Sequence, residues 1–532
     1  MAQPEASRYN RGVSSTRSLT VASLLALAVA LLTLVPYALA SRMTPAGHVF
    51  SGFLVNPVDG FSYLAKMRQG MQGSWLFQLP YAAEPGPPTL LFTFYITLGH
   101  LAAWLNASAL TIFHASRVLA ITIMGVLSYL FLRRALSESR WVWTAYALVM
   151  VGAGLGWFTG PLGLLSSDLM IPESIPLAGG LVNPHFPLAT GLVAAAVALA
   201  IRPPAKGWSV ALGTAIGAAL SGILPFAAAS TVVILVTWSA VEGWLALANG
   251  TLKKLVRTPR TILVAALAVG ALPWIAYDFW LTRSHPILAA WNAQNQTPSP
   301  PLWAYLAGYG LVLVFAAVGG LQPSVRRRPA GRLLITWVVV NALLLYAPFN
   351  LQRRLTLGLF LPLAALAALG LRAIVTPRRR LRWLPTLVVL VSLPSNLLVA
   401  AAGISLAASG SAENTLTNGE VDGYRWAQDH LQGSPLVLAA PRTGNRLPAY
   451  ADVRVLIGHP FETPDAARQQ EHVESLYRDI NDPDWQAVLR RLGISYVVQG
   501  PYERLLVPGS AEPSLPIAFR SEAFSLYSVP SP

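Results

Sequence analysis

The chain has no cysteine among its 532 residues, so it holds no disulfide and no thiolate metal site, and the redox compartment stays open. Acidic residues are nearly as scarce over most of its length. The first 407 positions carry eight: Glu5, Asp59, Glu84, Glu138, Asp168, Glu173, Glu242 and Asp278. The same stretch holds 28 Lys and Arg, whereas residues 408–532 carry 10 basic and 15 acidic residues. Charged residues make up only 11% of the chain and hydrophobic ones 54%. That balance excludes an ordinary soluble enzyme and gives a polytopic α-helical membrane protein. The net charge of +15 does not mean nucleic acid, because the basic residues lie between apolar runs, where cytoplasmic loops carry them.

Eleven apolar runs are each near the ~20 residues that cross a bilayer, some of them short: 19–40, 114–132, 141–160, 186–201, 209–224, 226–246, 261–281, 301–321, 333–349, 355–372 and 384–407. Ala38-Leu39-Ala40 has the look of a signal-peptidase site, but the apolar stretch before it is long, so a retained anchor is expected. Basic loops at 133–140, 202–206, 253–260, 326–332 and 372–382 are expected inside. If the N-terminus is also inside, parity leaves no room for a further crossing at 88–105, which reads as a juxtamembrane or re-entrant helix. The expected layout is a cytoplasmic tail at 1–18, a multi-span core at 19–407 whose first outer loop covers 41–105, and an extracytoplasmic α/β domain at 408–532. Within that domain, 420–432, 464–479 and 484–492 read as helices. Pro435 to Ala440, Val453 to Ile457, Ile494 to Val498 and Phe524 to Val529 read as strands. Residues 409–419 read as a polar linker, and Ala440 to Tyr450 as a turn or an acceptor-contacting loop.

Five of the eight acids fall in segments expected outside: Asp59, Glu84, Asp168, Glu173 and Asp278. A carboxylate near lipid is costly, which makes these functional candidates. In Asn56-Pro57-Val58-Asp59-Gly60, Asp59 is either a helix N-cap or a catalytic base able to take a proton from a sugar hydroxyl. Glu84 leads into Pro85-Gly86-Pro87-Pro88, where it is a solvated residue or a substrate contact. His185, between Pro184 and Pro187, is an interfacial capping group, or else a phosphate binder, proton shuttle or metal ligand. Asp278 sits among the aromatics Tyr277, Phe279 and Trp280, which form an interfacial belt or a sugar-stacking wall. Arg353 and Arg354 stand on the face that otherwise carries acids. They anchor lipid headgroups or bind a lipid phosphate through paired guanidinium hydrogen bonds. Gly458-His459-Pro460 has no assigned role.

A long first outer loop with an early acid, then an acid followed by prolines at the start of a helix, resembles the GT-C superfamily of integral-membrane glycosyltransferases. The likeness is nearest to the protein-mannosyltransferase and aminoarabinose-transferase branch. That resemblance implies a polyprenyl-phosphate sugar donor, Asp59 as the catalytic acid of the first loop, inverting transfer at the outer face, and a place in the cell membrane. The acceptor is a glycan, lipid or protein. The chain departs from the pattern in two places. It lacks the Lys of the family's acid–Lys–Pro–Pro motif, and Gly60 follows Asp59 where many members carry a second acid, so the cofactor is unknown and a divalent metal unassigned. The alternatives are a transporter or flippase of a lipid-linked or small polar substrate, and a non-catalytic envelope-assembly protein. Acids in outer segments rather than at mid-membrane favour interfacial chemistry over transport.

Overall fold

The computed structural model describes residues 4–250, 258–509 and 511–530, with side chains from residue 16 onward. The side chains of Glu5, Arg8 and Arg11 and the basic run 253–257 lie outside the described residues. Among the described residues, six helices are long and apolar enough to cross a membrane: Thr16–Met43, Ala109–Ala135, Pro225–Ala248, Pro259–Ser284, Leu302–Leu321 and Arg379–Ala408. The pair Ser139–Val151 and Gly156–Leu162, bent by 42°, makes a seventh if it is one broken span. The apolar helices His185–Ile201, Pro329–Leu344 and Phe360–Val375 are shorter. The chain is a multi-pass, mostly helical membrane protein.

It divides into two compact units. The first comprises residues 1–35, 114–278 and 297–402 and has no strand among the described residues. Helix Phe360–Val375 is apolar nearly all round and buried along most of its length, as a central helix must be. It packs on Leu302–Leu321 through Gly319 and Gly370, where any Cβ would collide with the facing backbone. Small residues at a crossing let two membrane helices approach that closely. Two acids of this unit are spent on ion pairs. Glu242 takes a two-pronged contact from Arg332, at 2.6 and 2.7 Å, and Glu138 pairs with Arg372 at 2.7 Å.

The second unit comprises residues 36–113, 279–296 and 403–532. Strand β1, His48–Phe50, pairs antiparallel with β2, Thr415–Thr417, so residues 409–419 are not linker throughout, as expected from their polarity. A five-stranded mixed sheet follows, from β3 (Leu436–Leu438), β4 (Arg454–Val455), β5 (Ile494–Gln499), β6 (Ile517–Arg520) and β7 (Ser525–Ser528). Its order is β4-β3-β5-β7-β6. The strands β4, β3 and β5 are parallel, and β7 runs antiparallel to β5 and β6. Helices Asn418–His430, Ala466–Arg478 and Trp485–Arg491 flank these strands in sequence.

The stretch after β3 is a helix, Pro441–Tyr450, and not the loop its Pro and Gly content suggested. Arg446 turns inward from it. It pairs with Glu420 at 2.9 Å and donates to the Tyr502 hydroxyl at 3.0 Å and to the carbonyls of Ala412 and Thr415. A buried guanidinium with this many partners holds the helix in place.

The first loop folds into helices Pro57–Met71 and Thr93–Trp104. These touch backbone to backbone at Gly70 and Gly99. The second has 12 residues, about 18 Å at ~1.5 Å per residue. That falls short of the ~30 Å hydrocarbon core, so it does not cross by itself.

Candidate functional site

Helix Pro57–Met71 begins with Pro at its first position and Asn56 as its N-cap, in the left-handed conformation at φ 50°. Asp59 is therefore not the cap. It is the third residue of the first turn, where a carboxylate meets the positive end of the helix dipole. Asn56 Nδ2 donates to Asp59 Oδ2 at 2.6 Å, and His459 Nε2 lies 2.7 Å from Asp59 Oδ1. The backbone N–H groups of Phe461 and Glu462 both donate to His459 Nδ1, at 3.1 and 3.2 Å. Nδ1 is thereby the acceptor of the ring and Nε2–H its donor, so the hydrogen bond runs from His459 to the carboxylate. The imidazole is buried, whereas the Asp59 side chain keeps 31% of its surface open.

Two turns further along the helix, Lys66 is buried and reaches Glu462 Oε1 at 2.7 Å. Ser62 bridges them, its hydroxyl 2.5 Å from the ammonium and 2.8 Å from the carboxylate. The Lys66 ammonium also lies 4.2 Å from the ring centre of Phe92, a cation–π contact. Burial on its own would raise the Glu462 carboxyl, but the Lys66 ammonium and the hydrogen bonds from Lys66 and Ser62 hold it below its ordinary value. Its second oxygen, Oε2, is buried without a hydrogen-bond partner among the described residues. Tyr81 is fully buried with its ring 6.3 Å from that of His459, and burial pushes its phenol well above the usual range. Asn445, on helix Pro441–Tyr450, donates to the Val58 carbonyl at 3.2 Å and so steadies the first turn that carries Asp59.

Glu84 belongs to the same unit but is exposed and makes no hydrogen bond among the described residues. The Pro-rich segment after it is held by His285, whose Nε2 lies 3.1 Å from the Pro87 carbonyl while Nδ1 caps helix Pro286–Gln294.

The other expected residues belong to the first unit. His185 opens helix His185–Ile201, buried, with its ring 4.1 Å from that of Phe186. Asp278 is half-buried near the C-terminal end of Pro259–Ser284. Asp168 is occupied structurally. It accepts from the N–H groups of Gly154 and Gly156, at 3.1 and 3.0 Å, and from the Ser166 hydroxyl at 2.5 Å, closing the break between Ser139–Val151 and Gly156–Leu162. Arg353 and Arg354 sit half-buried on the short turn Gln352–Thr356, which packs against Pro172–Ser174, the turn of Glu173. Neither guanidinium has a side-chain hydrogen bond or ion pair among the described residues.

Among the described residues no group of three or more His, Asp or Glu is placed to hold a metal ion. Each Asp59 oxygen accepts a hydrogen bond, from Asn56 and from His459, and each keeps a further lone pair.

Lys66, His459 and Glu462 are the residues that sequence reading did not single out. The available signal was local: Asp59, Ser62 and Lys66 fall at i, i+3 and i+7, on one face of a helix. The partner segment lies about 400 positions away, beyond the reach of any spacing rule.

No family model and no curated protein sequence matches the chain. Among solved structures, an oligosaccharyltransferase from Archaeoglobus fulgidus, in complex with Zn and sulfate, is similar at a TM-score of 0.50 and 13% identity, over 88% of this chain and 67% of that one. ArnT from Cupriavidus metallidurans in the apo state covers 97% of this chain and 98% of its own at 14% identity, with a TM-score of 0.48 that adds no weight. Identity this low speaks for fold alone, and it is in fold that the chain is similar to that oligosaccharyltransferase.

Proposed function

We propose that the chain transfers a sugar from a polyprenyl-phosphate donor to an acceptor hydroxyl at the extracytoplasmic face, with inversion at the anomeric carbon. The observation that carries this reading is the Asp59 carboxylate. It keeps about a third of its surface open to solvent (31%), sits at a helix N-terminus, and is fixed on one oxygen by Asn56 and on the other by His459. A base must be oriented as well as available. His459 orients it through a ring whose tautomer two backbone N–H groups determine.

In the proposed step, Asp59 accepts the acceptor hydroxyl's proton as that oxygen bonds to the anomeric carbon. The bond from that carbon to the phosphate oxygen breaks, and polyprenyl phosphate leaves with the electron pair. Arg353 and Arg354, half-buried and with no side-chain hydrogen bond or ion pair among the described residues, are assigned separately to a lipid-borne phosphate, which guanidinium groups bind strongly. Glu84, His185 and Asp278 keep the weaker assignment of substrate contacts.

Eleven crossings complete the layout: the six long helices, the bent pair, and His185–Ile201, Lys206–Ile223, Pro329–Leu344 and Phe360–Val375. Residues 408–532 then form an extracytoplasmic domain, with residues 1–18 inside the cell membrane's cytoplasmic face. Ser411→Cys, in a chain with no other cysteine, is expected to label with an impermeant thiol reagent in intact cells. Labelling only after permeabilisation reverses that orientation.

The direct test of function presents the purified protein with a panel of radiolabelled polyprenyl-phosphate sugars and membrane extracts as acceptors. Release of polyprenyl phosphate coupled to label in a product supports transfer. Movement of the intact donor between vesicle leaflets without bond cleavage supports the flippase alternative instead.

A further inference from the structure

Helix Pro57–Met71 has a second polar face. Arg68 lies two residues past Lys66, about 200° further round the helix, and with Gln69 and Gln72 it lines a cavity of about 180 Å³. Gln78, Asp452 and Arg454 line the same cavity. That volume is below the ~300–1,000 Å³ of drug-sized pockets and suits a single small ring.

Much of the wall is pre-set. Gln69 clamps the backbone of Gln78 from both sides, accepting from its N–H at 2.9 Å and donating to its carbonyl at 2.7 Å. Arg454 is spent on the carbonyls of Ser434 and Ala83. One Asp452 oxygen accepts from the Ser434 hydroxyl at 2.7 Å.

Arg68 is different. Its Nε is buried with no hydrogen-bond partner, and its guanidinium makes no ion pair among the described residues. Asp452 is near enough for its charge to act on Arg68, but the two are not in ion-pair contact. A donor-only group and an acceptor-bearing group thus face one small cavity without closing on each other. A buried N–H left unbonded is costly, and here it is the Nε–H of a half-buried side chain. A hydroxyl satisfies both groups at once, since it accepts from Arg68 and donates to Asp452. An anion would answer Arg68 and be repelled by Asp452, and a cation the reverse.

We propose that this cavity binds a neutral carbohydrate ring, with Arg68 and Asp452 sharing its hydroxyls and the Gln72 amide, which makes no other hydrogen bond among the described residues, adding a contact. This goes beyond the transfer reading, because binding here needs neither donor nor turnover.

The test is a saturation-transfer NMR titration of the purified full chain in detergent, with no donor present. The probes are neutral methyl hexosides and pentosides, set against methyl glucuronide, methyl glucosaminide and inorganic phosphate. At least one neutral glycoside is expected to bind saturably, with Arg68→Gln and Asp452→Asn each weakening it roughly tenfold or more. Unfolding temperatures show whether each variant is folded, and if Arg68→Gln is not, Asp452→Asn decides alone. The proposal fails if no neutral glycoside saturates, or if glucuronide or phosphate binds more tightly than every neutral probe. It also fails if the folded variants bind as the parent does.

Discussion

Asp59 and Lys66 stand two turns apart on one helix, and each reaches the short segment His459 to Glu462. The two pairs share their backbone supports but differ in exposure. Lys66 and Glu462 are sealed, with side-chain exposures of 1% and 12%, whereas Asp59 keeps 31%. A sealed ion pair is locked to one partner and suits a clamp. A carboxylate held from behind by a buried imidazole, with its outer side open, suits proton transfer. The clamp and the proposed base are thus built from the same two segments.

The strongest test of this contrast is Asp59→Asn. The amide keeps nearly the same shape and can still accept from His459, but it takes no proton. Transfer is expected to fall by about 10²–10⁴-fold with little change in unfolding temperature. Near-parental turnover by a folded Asp59→Asn protein would remove the base assignment and move attention to Glu84 and His185.

The clamp is expected to answer the other way. Lys66→Met or Glu462→Gln breaks a buried pair from one side and is expected to cost about 3–5 kcal/mol of stability. The double change Lys66→Met with Glu462→Leu should cost less than either alone, because it leaves no lone charge. A double loss equal to the sum of the two single losses would mean the pair is not coupled. The pH response follows from the sign of the shift. Glu462 is held below its ordinary value of 4.5 in the folded chain. Its contribution is therefore complete above the unfolded value and is lost as pH falls through the lower folded one. The Glu462→Gln protein should lack that acid-dependent loss in a melting series.

Arg353→Gln with Arg354→Gln is expected to weaken donor use by roughly tenfold or more, since charge-assisted bonds to phosphate are among the stronger polar contacts. Expression and melting should change little, because neither side chain bonds to the protein among the described residues. Unchanged donor kinetics would reduce both to headgroup anchors.

The contrast also explains what was legible in the sequence. Scarcity of acids pointed to Asp59, whose surroundings here suit chemistry, and equally to Asp168, whose oxygens close a broken helix through Gly154, Gly156 and Ser166. Scarcity marks a cost that must be offset, and structural hydrogen bonds offset it as well as function does. Apolar runs marked the helices reliably because burial in lipid imposes a long uniform signal. The α/β region was legible as alternating strands and helices, but their ends were not, and Pro441–Tyr450 was misread. Its Pro at N1 is a helix start, and its Gly and second Pro are tolerated because Arg446 and Asn445 tie it down. His459 and Glu462 were illegible for a different reason. Their role exists only once a loop near the C-terminus meets a helix near the N-terminus.

Asn56 gives the smallest effect and the finest division between clamp and base. It adopts φ 50°, a conformation Asn and Gly tolerate and Ala resists by about 1–2 kcal/mol. Its side chain also caps Asp59's amide and holds Asp59 Oδ2. Asn56→Ala loses both and is expected to cost about 2 kcal/mol of stability. Asn56→Gly restores the backbone and should recover most of that loss, since Gly at an N-cap costs only a few tenths of a kcal/mol. Neither variant can restrain the carboxylate. If Asn56 positions Asp59, turnover stays low in the Gly variant although stability returns, and the loss is read in kcat rather than KM. If activity returns together with stability, His459 alone orients the base and Asn56 serves only to start the helix.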